Sequence, residues 1–318
     1  MSGHVSVLLK ESIEALDIKE NGIYVDLTLG RAGHSKVILS KLKEGWLYGF
    51  DLDATAIAES DAVLREISPR YTLIHASFAS LATELASRGI KAVDGILADL
   101  GVSSPQFDDP ERGFSYRYDA RLDMRMDQDS PLSAYEVVNT YGESELLRIL
   151  RDYGEEPDAG AIARNIIKKR SLAPIETTGE LVDVIKASKS MKTLSKKGHP
   201  AKQTFQALRI EVNGEAKALE TLLQDAPNLL KVGGRLAIIT FMSLDDRATK
   251  RRFQELSVLE GSRHGLALRP EEIPTPEFAL VSKKPILPSE EELLVNPRSA
   301  SAKLRVLKRI ASHEGRKE

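Results

Sequence analysis

The chain has 318 residues, 42% of them hydrophobic, and a formal net charge of −2. This length and composition predict about two domains with a buried core. The sequence contains no cysteine, which excludes disulfides and thiolate metal sites, and its 6 histidines show no H-x-x-x-H spacing, so we expect no bound metal. No apolar segment approaches the ~20 residues of a membrane span, and the N-terminus lacks a signal-peptide core. We therefore expect a soluble cytoplasmic protein with no membrane partner.

Residues 23–53 have the pattern of a strand, a glycine turn, a helix and a second strand. The apolar runs at 23–27 and 46–50 are typical of buried strands, and the apolar spacing within 35–42 is typical of a helix. Together they predict a βαβ unit of about thirty residues, which is the building block of parallel α/β sheets.

Two acids close the strands of this unit. Asp26 and Asp51 are expected at the carboxyl ends of adjacent parallel strands, where open α/β sheets bind ligands. An acid at the end of the second strand can accept hydrogen bonds from ribose hydroxyls, so the ligand is predicted to contain a nucleoside. Gly30 and Gly33 do not complete the G-x-G-x-x-G dinucleotide fingerprint, and Asp26 would repel a pyrophosphate but would suit a cationic amino group. S-adenosylmethionine (AdoMet) has both the ribose and the ammonium; a nucleotide-free turn is the alternative.

Helix and strand patterns alternate up to residue 99 and then stop. The predicted elements after the first unit are helices at 54–67 and 81–88 and strands at 71–75 and 93–99. Residues 106–199 show helical patterns at 146–153, 161–170 and 178–187 without a convincing strand pair. Alternation resumes with a long helix at 201–230, a strand at 233–241, a helix at 243–256 and an edge strand at 277–282, after which Pro285 and Pro288 end regular structure. We predict a doubly wound domain at 1–105 and 200–296, an all-helical insertion at 106–199 and a basic C-terminal tail at 297–318.

Charge is unevenly distributed along the chain. Residues 103–160 contain 14 acids and 6 bases, whereas residues 161–209 contain 11 bases and 3 acids. The near-neutral total argues against a nucleic-acid coat protein, but localised basic segments could bind RNA phosphates. Solvated helix faces are the competing interpretation.

Five blocks of the sequence carry a resemblance to a known family. They are AGHS (32–35), VDGILADLGVSSPQFDDPERGFSYRYDARLDMRMD (93–127), KGHPAKQTFQALRIEVNGE (197–215), GGRLAIITFMSLDDRATK (233–250) and NPRSASAKLR (296–305). In this order they closely resemble the bacterial 16S ribosomal RNA cytosine N4-methyltransferases, the RsmH or MraW family. Six positions depart from the family pattern, which has proline at Ser6, a small residue at Leu27, glycine at Ala32, proline at Arg121, histidine at Met242 and arginine at Ala300.

The resemblance implies a class I AdoMet-dependent methyltransferase fold, a Rossmann-like doubly wound sheet with an all-helical insertion domain. It implies an enzyme that transfers a methyl group from AdoMet to N4 of a cytosine in the decoding centre. The expected partner is 16S rRNA in the small ribosomal subunit, and a homodimer is an oligomeric state that the family suggests. The alternatives are a cytosine methyltransferase acting on another nucleic acid and a non-catalytic ribosome-assembly factor.

The predicted cofactor site combines both lines of reasoning. Asp26 and Gly30 belong to it by their place in the βαβ unit. The cofactor contacts that the resemblance implies are Ala32, Gly33, His34, Asp51, Phe78, Asp99 and Gln106. Asp51 is expected to hold the ribose and Phe78 to lie against the adenine, while His34 is expected at the start of a helix and not as a base.

Methyl transfer to a cytosine amine needs an acceptor for the departing N4 proton. Asp99, at the end of the fourth strand, is the candidate, although cofactor binding is its favoured role. Asn213 is expected near the catalytic mouth. In the predicted substrate site, Phe114 and Tyr116 either stack on a flipped cytosine or anchor a loop. The bases assigned to the RNA are Lys197, Lys202 and Arg209.

Overall fold

The computed structural model describes residues 6–195, 198–258 and 276–312. The chain divides into two compact units. Unit 1 contains Met1–Gly101 and Ala218–Glu318, and unit 2 contains Val102–Lys217. Unit 1 is therefore built from two chain segments that flank the whole of unit 2 in the sequence.

Within unit 1, the described residues form a seven-stranded sheet of order β3-β2-β1-β4-β5-β7-β6. The strands are β1 (Ile23–Asp26), β2 (Trp46–Asp51), β3 (Tyr71–His75), β4 (Val93–Asp99), β5 (Leu230–Thr240), β6 (Phe278–Leu280) and β7 (Lys303–Arg309). The first five strands run parallel, and β7 lies antiparallel to both β5 and β6. The chain order reverses between β1 and β4, which makes the carboxyl ends of these two strands the switch point of the sheet.

The helices of both units are numbered along the chain. They are α1 (Leu9–Leu16), α2 (Gly33–Lys41), α3 (Ala54–Arg65), α4 (Leu81–Ser87), α5 (Ser104–Asp108), α6 (Ala134–Thr140), α7 (Glu143–Asp152), α8 (Ala159–Arg170), α9 (Thr178–Ser188), α10 (Met191–Leu194), α11 (Lys202–Val212), α12 (Glu215–Asp225), α13 (Ser243–Leu256) and α14 (Glu290–Val295). In unit 1, neighbouring strand residues point into two different apolar layers: Tyr24 packs with one layer and Val25 with the other. Because both faces are covered, the strands are nearly continuous apolar runs.

Unit 2 consists of α5 to α11 around a hydrophobic core of its own. Leu146, Ile162, Leu181 and Leu208 are completely buried in it. Inside this unit a buried ion pair joins Lys189 to Glu156 at 2.7 Å, with both side chains at most 2% exposed. The described residues of the predicted insertion contain no strand, only an isolated bridge between residues 121 and 177.

The single long helix predicted at 201–230 is wrong. Two helices, α11 and α12, occupy this region, and a 3₁₀ helix follows at Ala226–Leu229. The break falls at Gly214, whose φ of +61° lies in the left-handed region that ends helices and favours glycine. The apolar period continues across the break, so periodicity alone did not reveal it. Helix α11 belongs to unit 2, beyond the predicted end of the insertion at residue 199.

The prediction that regular structure ends at Pro288 is also wrong. Helix α14 follows, and β7 then inserts between β5 and β6. Leu304 and Val306 are buried, while the intervening Arg305 forms a 2.7 Å ion pair with Asp246. The bases of this segment alternate with buried apolar residues and are neutralised by an acid, which allows the segment to form a strand. The basic segment that suggested a tail is therefore part of the sheet.

Candidate functional site

Three acids end neighbouring strands of unit 1. Asp26 is the last residue of β1 and pairs in register with Gly49 of β2 and Leu97 of β4. Asp51 ends β2 and Asp99 ends β4. The sheet therefore brings the three carboxylates to one edge, as predicted for parallel strands in this order.

Asp51 organises the turn that follows β1. The backbone N–H of Gly30 donates to Asp51 Oδ2 at 2.8 Å, and that of Asp53 donates to Oδ1 at 2.9 Å. Each carboxylate oxygen has two acceptor sites, so one site on each remains for a ligand. Burial raises the pKa of Asp51, although the two backbone donors oppose that shift. This arrangement is suited to a pair of vicinal hydroxyls.

Asp26 is almost completely buried, with 1% exposure. Its carboxylate accepts the Thr28 N–H at 3.2 Å and the Ser35 hydroxyl at 2.7 Å. Burial raises its pKa, which these two donors partly offset. The carboxylate thus holds the turn to the first residues of α2 and offers almost no surface to a ligand, so its contribution there is orientation and charge.

The start of α2 is shaped by close packing. Ala32, the residue before the helix, is completely buried and has a φ of +58°. A side chain in this conformation costs about 1 kcal/mol relative to glycine, which is the residue that the resemblance implies here. A Cβ atom at Gly33 would overlap the Ser6 hydroxyl, so the N-terminal segment lies directly against this turn.

The environment of His34 argues against a role as a base in catalysis. Its Nε2 lies 3.1 Å from the Val7 carbonyl oxygen, which can only accept, so Nε2 carries the proton. Burial lowers the pKa of His34 to about 4, and the ring is neutral at physiological pH. Its role is to hold the N-terminal segment on α2.

Asp99 has the most unusual environment of the three acids. Its backbone N–H donates to Thr28 Oγ1 at 2.6 Å. The residue is partly exposed, but its Oδ1 atom is buried and has no hydrogen-bond partner. Burial, together with the nearby acids Asp26 and Glu292, raises the pKa of Asp99 to about 8, and burial is the largest of these causes. An unpaired buried oxygen surrounded by negative charge is suited to a cationic ligand or to a proton.

The aromatic residue predicted for the adenine lies at the same edge. Phe78 begins a 3₁₀ helix just after β3 and is partly exposed. Gln106 lies in unit 2, where it forms a capping box with Ser103 at the start of α5 and is 7% exposed. Hydrogen bonds therefore join Asp51 to Gly30 within unit 1, and Phe78 follows β3 at the same edge of the sheet, whereas Gln106 belongs to unit 2.

Asn213 and Arg209 have structural partners within unit 2. The Asn213 amide accepts the Met126 N–H at 2.7 Å and donates to the Met124 carbonyl at 2.8 Å. Arg209 forms a bidentate ion pair with Glu215 at 2.7 and 2.8 Å. Asn213 therefore fastens the loop before α6 to the end of α11.

The predicted substrate residues have different environments. Phe114 is 4% exposed in the core of unit 2, which is the loop-anchor alternative left open by the sequence. Tyr116 is stacked on His199, with ring centroids 4.1 Å apart and a 7° interplanar angle. Lys202 is exposed at the start of α11, and Lys197 lies outside the described residues.

Sequence reasoning missed three residues that build this edge: Thr28, Ser35 and Glu292. Thr28 and Ser35 are short polar residues near Gly30 and Gly33, and such side chains often form hydrogen bonds with the backbone of a turn. Their residue types and positions could therefore have identified them. Glu292 follows a predicted end of structure, and no local pattern connects it to the sheet edge.

A sheet with helices on both faces, reversed order at β1 and β4 and an acid-lined carboxyl edge identifies a class: this is the class I methyltransferase fold predicted from the sequence. Residues 1–310 match the model of the MraW methylase family, and the chain belongs to that family. None of the helices in the described part of the chain has the length and apolarity needed to cross a membrane.

Two curated relatives are similar over nearly their whole length. Both are named ribosomal RNA small subunit methyltransferase H, one from Streptococcus dysgalactiae subsp. equisimilis and one from Streptococcus pyogenes serotype M4 (strain MGAS10750). Each is 54% identical over 310 residues, which cover 96% of this chain and 98% of the relative. A solved rRNA methylase from Streptococcus thermophilus aligns over 95% of this chain and 94% of its own, with 13% identity and a TM-score of 0.36.

Proposed function

We propose that this chain is an AdoMet-dependent methyltransferase that modifies N4 of a decoding-centre cytosine in the rRNA of the small ribosomal subunit. The observation that carries the proposal is the buried, unpaired Oδ1 of Asp99, on which two further acids act. A buried acid in such surroundings favours a cation, and AdoMet has two cationic centres. The curated relatives, named as small-subunit rRNA methyltransferases, support the substrate class.

The residues of unit 1 fit AdoMet from one end to the other. The Asp51 carboxylate has acceptor sites free for the ribose hydroxyls, and Phe78 offers a partly exposed ring to the adenine. Backbone N–H groups at the start of α2 meet the methionine carboxylate, as helix starts commonly bind anions. Asp99 meets the cationic end. When bound, AdoMet supplies the electrophilic methyl group.

Asp99 also serves as the acceptor for the cytosine N4 proton in this proposal. The N4 lone pair is delocalised into the ring, so an acceptor that holds N4–H makes the amine a better nucleophile. In the free protein this carboxyl is mostly protonated near neutral pH, and the bound cation favours its ionised form, which can then accept the N4 proton. Thr28 fixes the backbone of Asp99 and hence the direction of its carboxylate.

We assign RNA binding to unit 2. Tyr116 and its stacking partner His199 form an aromatic pair suited to contact with a base, and the exposed Lys202 is suited to a phosphate. Lys197 and Arg209 are assigned to the same surface; Arg209 would have to exchange its ion pair with Glu215 for a phosphate. Asn213 positions the loop that carries Tyr116, and we assign it no proton transfer.

The test uses small ribosomal subunits from cells that lack cytosine N4 methylation. They are incubated with the purified protein and AdoMet, and their RNA is digested for nucleoside mass spectrometry. We expect N4-methylcytidine at a single decoding-centre position, and Asp99→Asn should abolish it. Formation of a different methylated nucleoside would refute the N4 assignment, and no product in the presence of bound AdoMet would refute the substrate.

A further inference from the structure

Glu292 links the C-terminal region of unit 1 to its N-terminal segment. It lies on α14, a short helix whose first turn is capped by the Ser289 hydroxyl. Glu292 Oε1 accepts the backbone N–H of Leu8 at 2.9 Å, although the two residues are 284 positions apart. The contact is thus a specific long-range hydrogen bond to a charged acceptor, a strong type of hydrogen bond.

The N-terminal segment that Glu292 holds lies against the turn between β1 and α2. The Val7 carbonyl accepts a hydrogen bond from His34, and the Ser6 hydroxyl lies against Gly33. Leu8 itself has a φ of +50° and is completely buried. This left-handed conformation is strained for a residue other than glycine, so the surrounding contacts must maintain it.

The negative charge of Glu292 acts on Asp99, at the carboxyl edge of the sheet. The charged groups that act on the Asp99 carboxyl are Asp26 and Glu292, and both are acidic. Asp99 Oδ1 is buried and unpaired at this position. Repulsion among acids that meet at an unpaired oxygen costs stability unless a cation is bound there.

We propose that Glu292 belongs to the AdoMet site, where its negative charge stabilises the sulfonium cation while its bond to Leu8 fixes the N-terminal segment on the turn. The inference rests on the proposed function, since it assigns a further residue to the same cofactor. A charge at Glu292 should distinguish between two related ligands, whereas a residue that only anchors the N-terminal segment should not. The charge should favour AdoMet over S-adenosylhomocysteine, which has the same ammonium and carboxylate but no sulfonium.

The experiment compares both ligands by calorimetry in wild type and in Glu292→Gln. The glutamine side-chain oxygen can still accept the Leu8 N–H, so the variant removes the charge and retains the anchor. The titrations are run at about pH 8.5, above the pKa of Asp99, so that Asp99 is largely ionised in every variant. Glu291→Gln is the matched control, because Glu291 is an exposed neighbour on the same helix.

We expect Glu292→Gln to weaken AdoMet about tenfold and S-adenosylhomocysteine by less than about twofold. Equal weakening of both ligands, or no change in either, would overturn the proposal and leave Glu292 as an anchor. Wild-type protein that binds neither ligand would instead refute the proposed function. Glu292→Ala, which removes charge and anchor together, should also lower the melting temperature.

Discussion

The Thr28 hydroxyl accepts the backbone N–H of Asp99 at 2.6 Å, which joins residues 71 positions apart at the ends of β1 and β4. The Thr28 N–H in turn donates to Asp26 at 3.2 Å. One threonine therefore connects the first strand's acid with the fourth strand's acid. The direction of the Asp99 carboxylate depends on the turn after β1, so a change in that turn should alter the position of Asp99.

Replacing Thr28 with valine tests this connection. Valine has nearly the same shape but leaves the Asp99 N–H without its acceptor, so we expect the free energy of unfolding to fall by about 1 to 2 kcal/mol. AdoMet affinity should fall as well, because Asp99 is no longer held. Denaturant unfolding and calorimetry measure the two effects. Thr28→Ser retains the hydroxyl and should stay close to wild type; equal losses in both variants would refute the role of the hydrogen bond.

Replacing Asp51 with alanine should weaken AdoMet binding by about ten- to a hundredfold, since charge-assisted hydrogen bonds to the ribose are lost. Calorimetry with a ligand that lacks a ribose hydroxyl gives the sharper comparison. Wild type should bind such an analogue less tightly than the parent ligand, and Asp51→Ala should not distinguish them. The control is Glu44→Gln, an exposed acid just before the other end of β2. Full ribose discrimination in Asp51→Ala would contradict the assignment.

Asp99 should make the stability of the free protein depend on pH. Its pKa is raised in the folded protein from 3.8 to about 8, so the folded state binds this proton more tightly than the unfolded state. The resulting contribution to stability is complete below about pH 4 and is lost as the pH rises through about 8. Asp99→Asn removes this dependence, so the variant should gain stability relative to wild type between pH 5 and pH 8. Parallel stability curves for the two proteins over this range would exclude the raised pKa.

The buried ion pair of unit 2 should be sensitive to the loss of one partner. The side chains of Lys189 and Glu156 are at most 2% exposed, and the Glu156 carboxylate also accepts the Thr204 hydroxyl at 3.2 Å. Lys189→Met leaves an uncompensated carboxylate and should cost about 3 to 5 kcal/mol in unfolding experiments. Adding Glu156→Gln should recover much of that loss. The exposed pair of Arg151 and Asp152 is the control, and its disruption should cost less than about 1 kcal/mol.

The first βαβ unit could be predicted because its information is local. The apolar runs that became β1 and β2, and the acids Asp26 and Asp51 that end them, lie within thirty residues of one another. Parallel pairing then placed both carboxylates at one edge. Asp99 followed from the same rule, since β4 pairs with β1.

The contacts that define the environment of Asp99 could not be predicted from local patterns. The Thr28 bond to Asp99 and the Glu292 bond to Leu8 join side chains to distant backbone atoms, and no period in the sequence encodes them. Strand β7 was missed because Lys303 and Arg305 read as solvated bases, whereas Asp246 neutralises both. The helix break at Gly214 was hidden because the apolar period continues across it.

The most direct test of a cationic methyl donor at Asp99 is to measure how many protons are released when AdoMet binds. Calorimetric titration near pH 7, repeated in buffers with different heats of ionisation, measures that proton. Because the Asp99 pKa is about 8 in the free protein, the carboxyl is mostly protonated there and must ionise beside the cation. We predict release of nearly one proton per AdoMet bound in wild type and none in Asp99→Asn. Binding with no proton release, or no binding of AdoMet at all, would contradict this account.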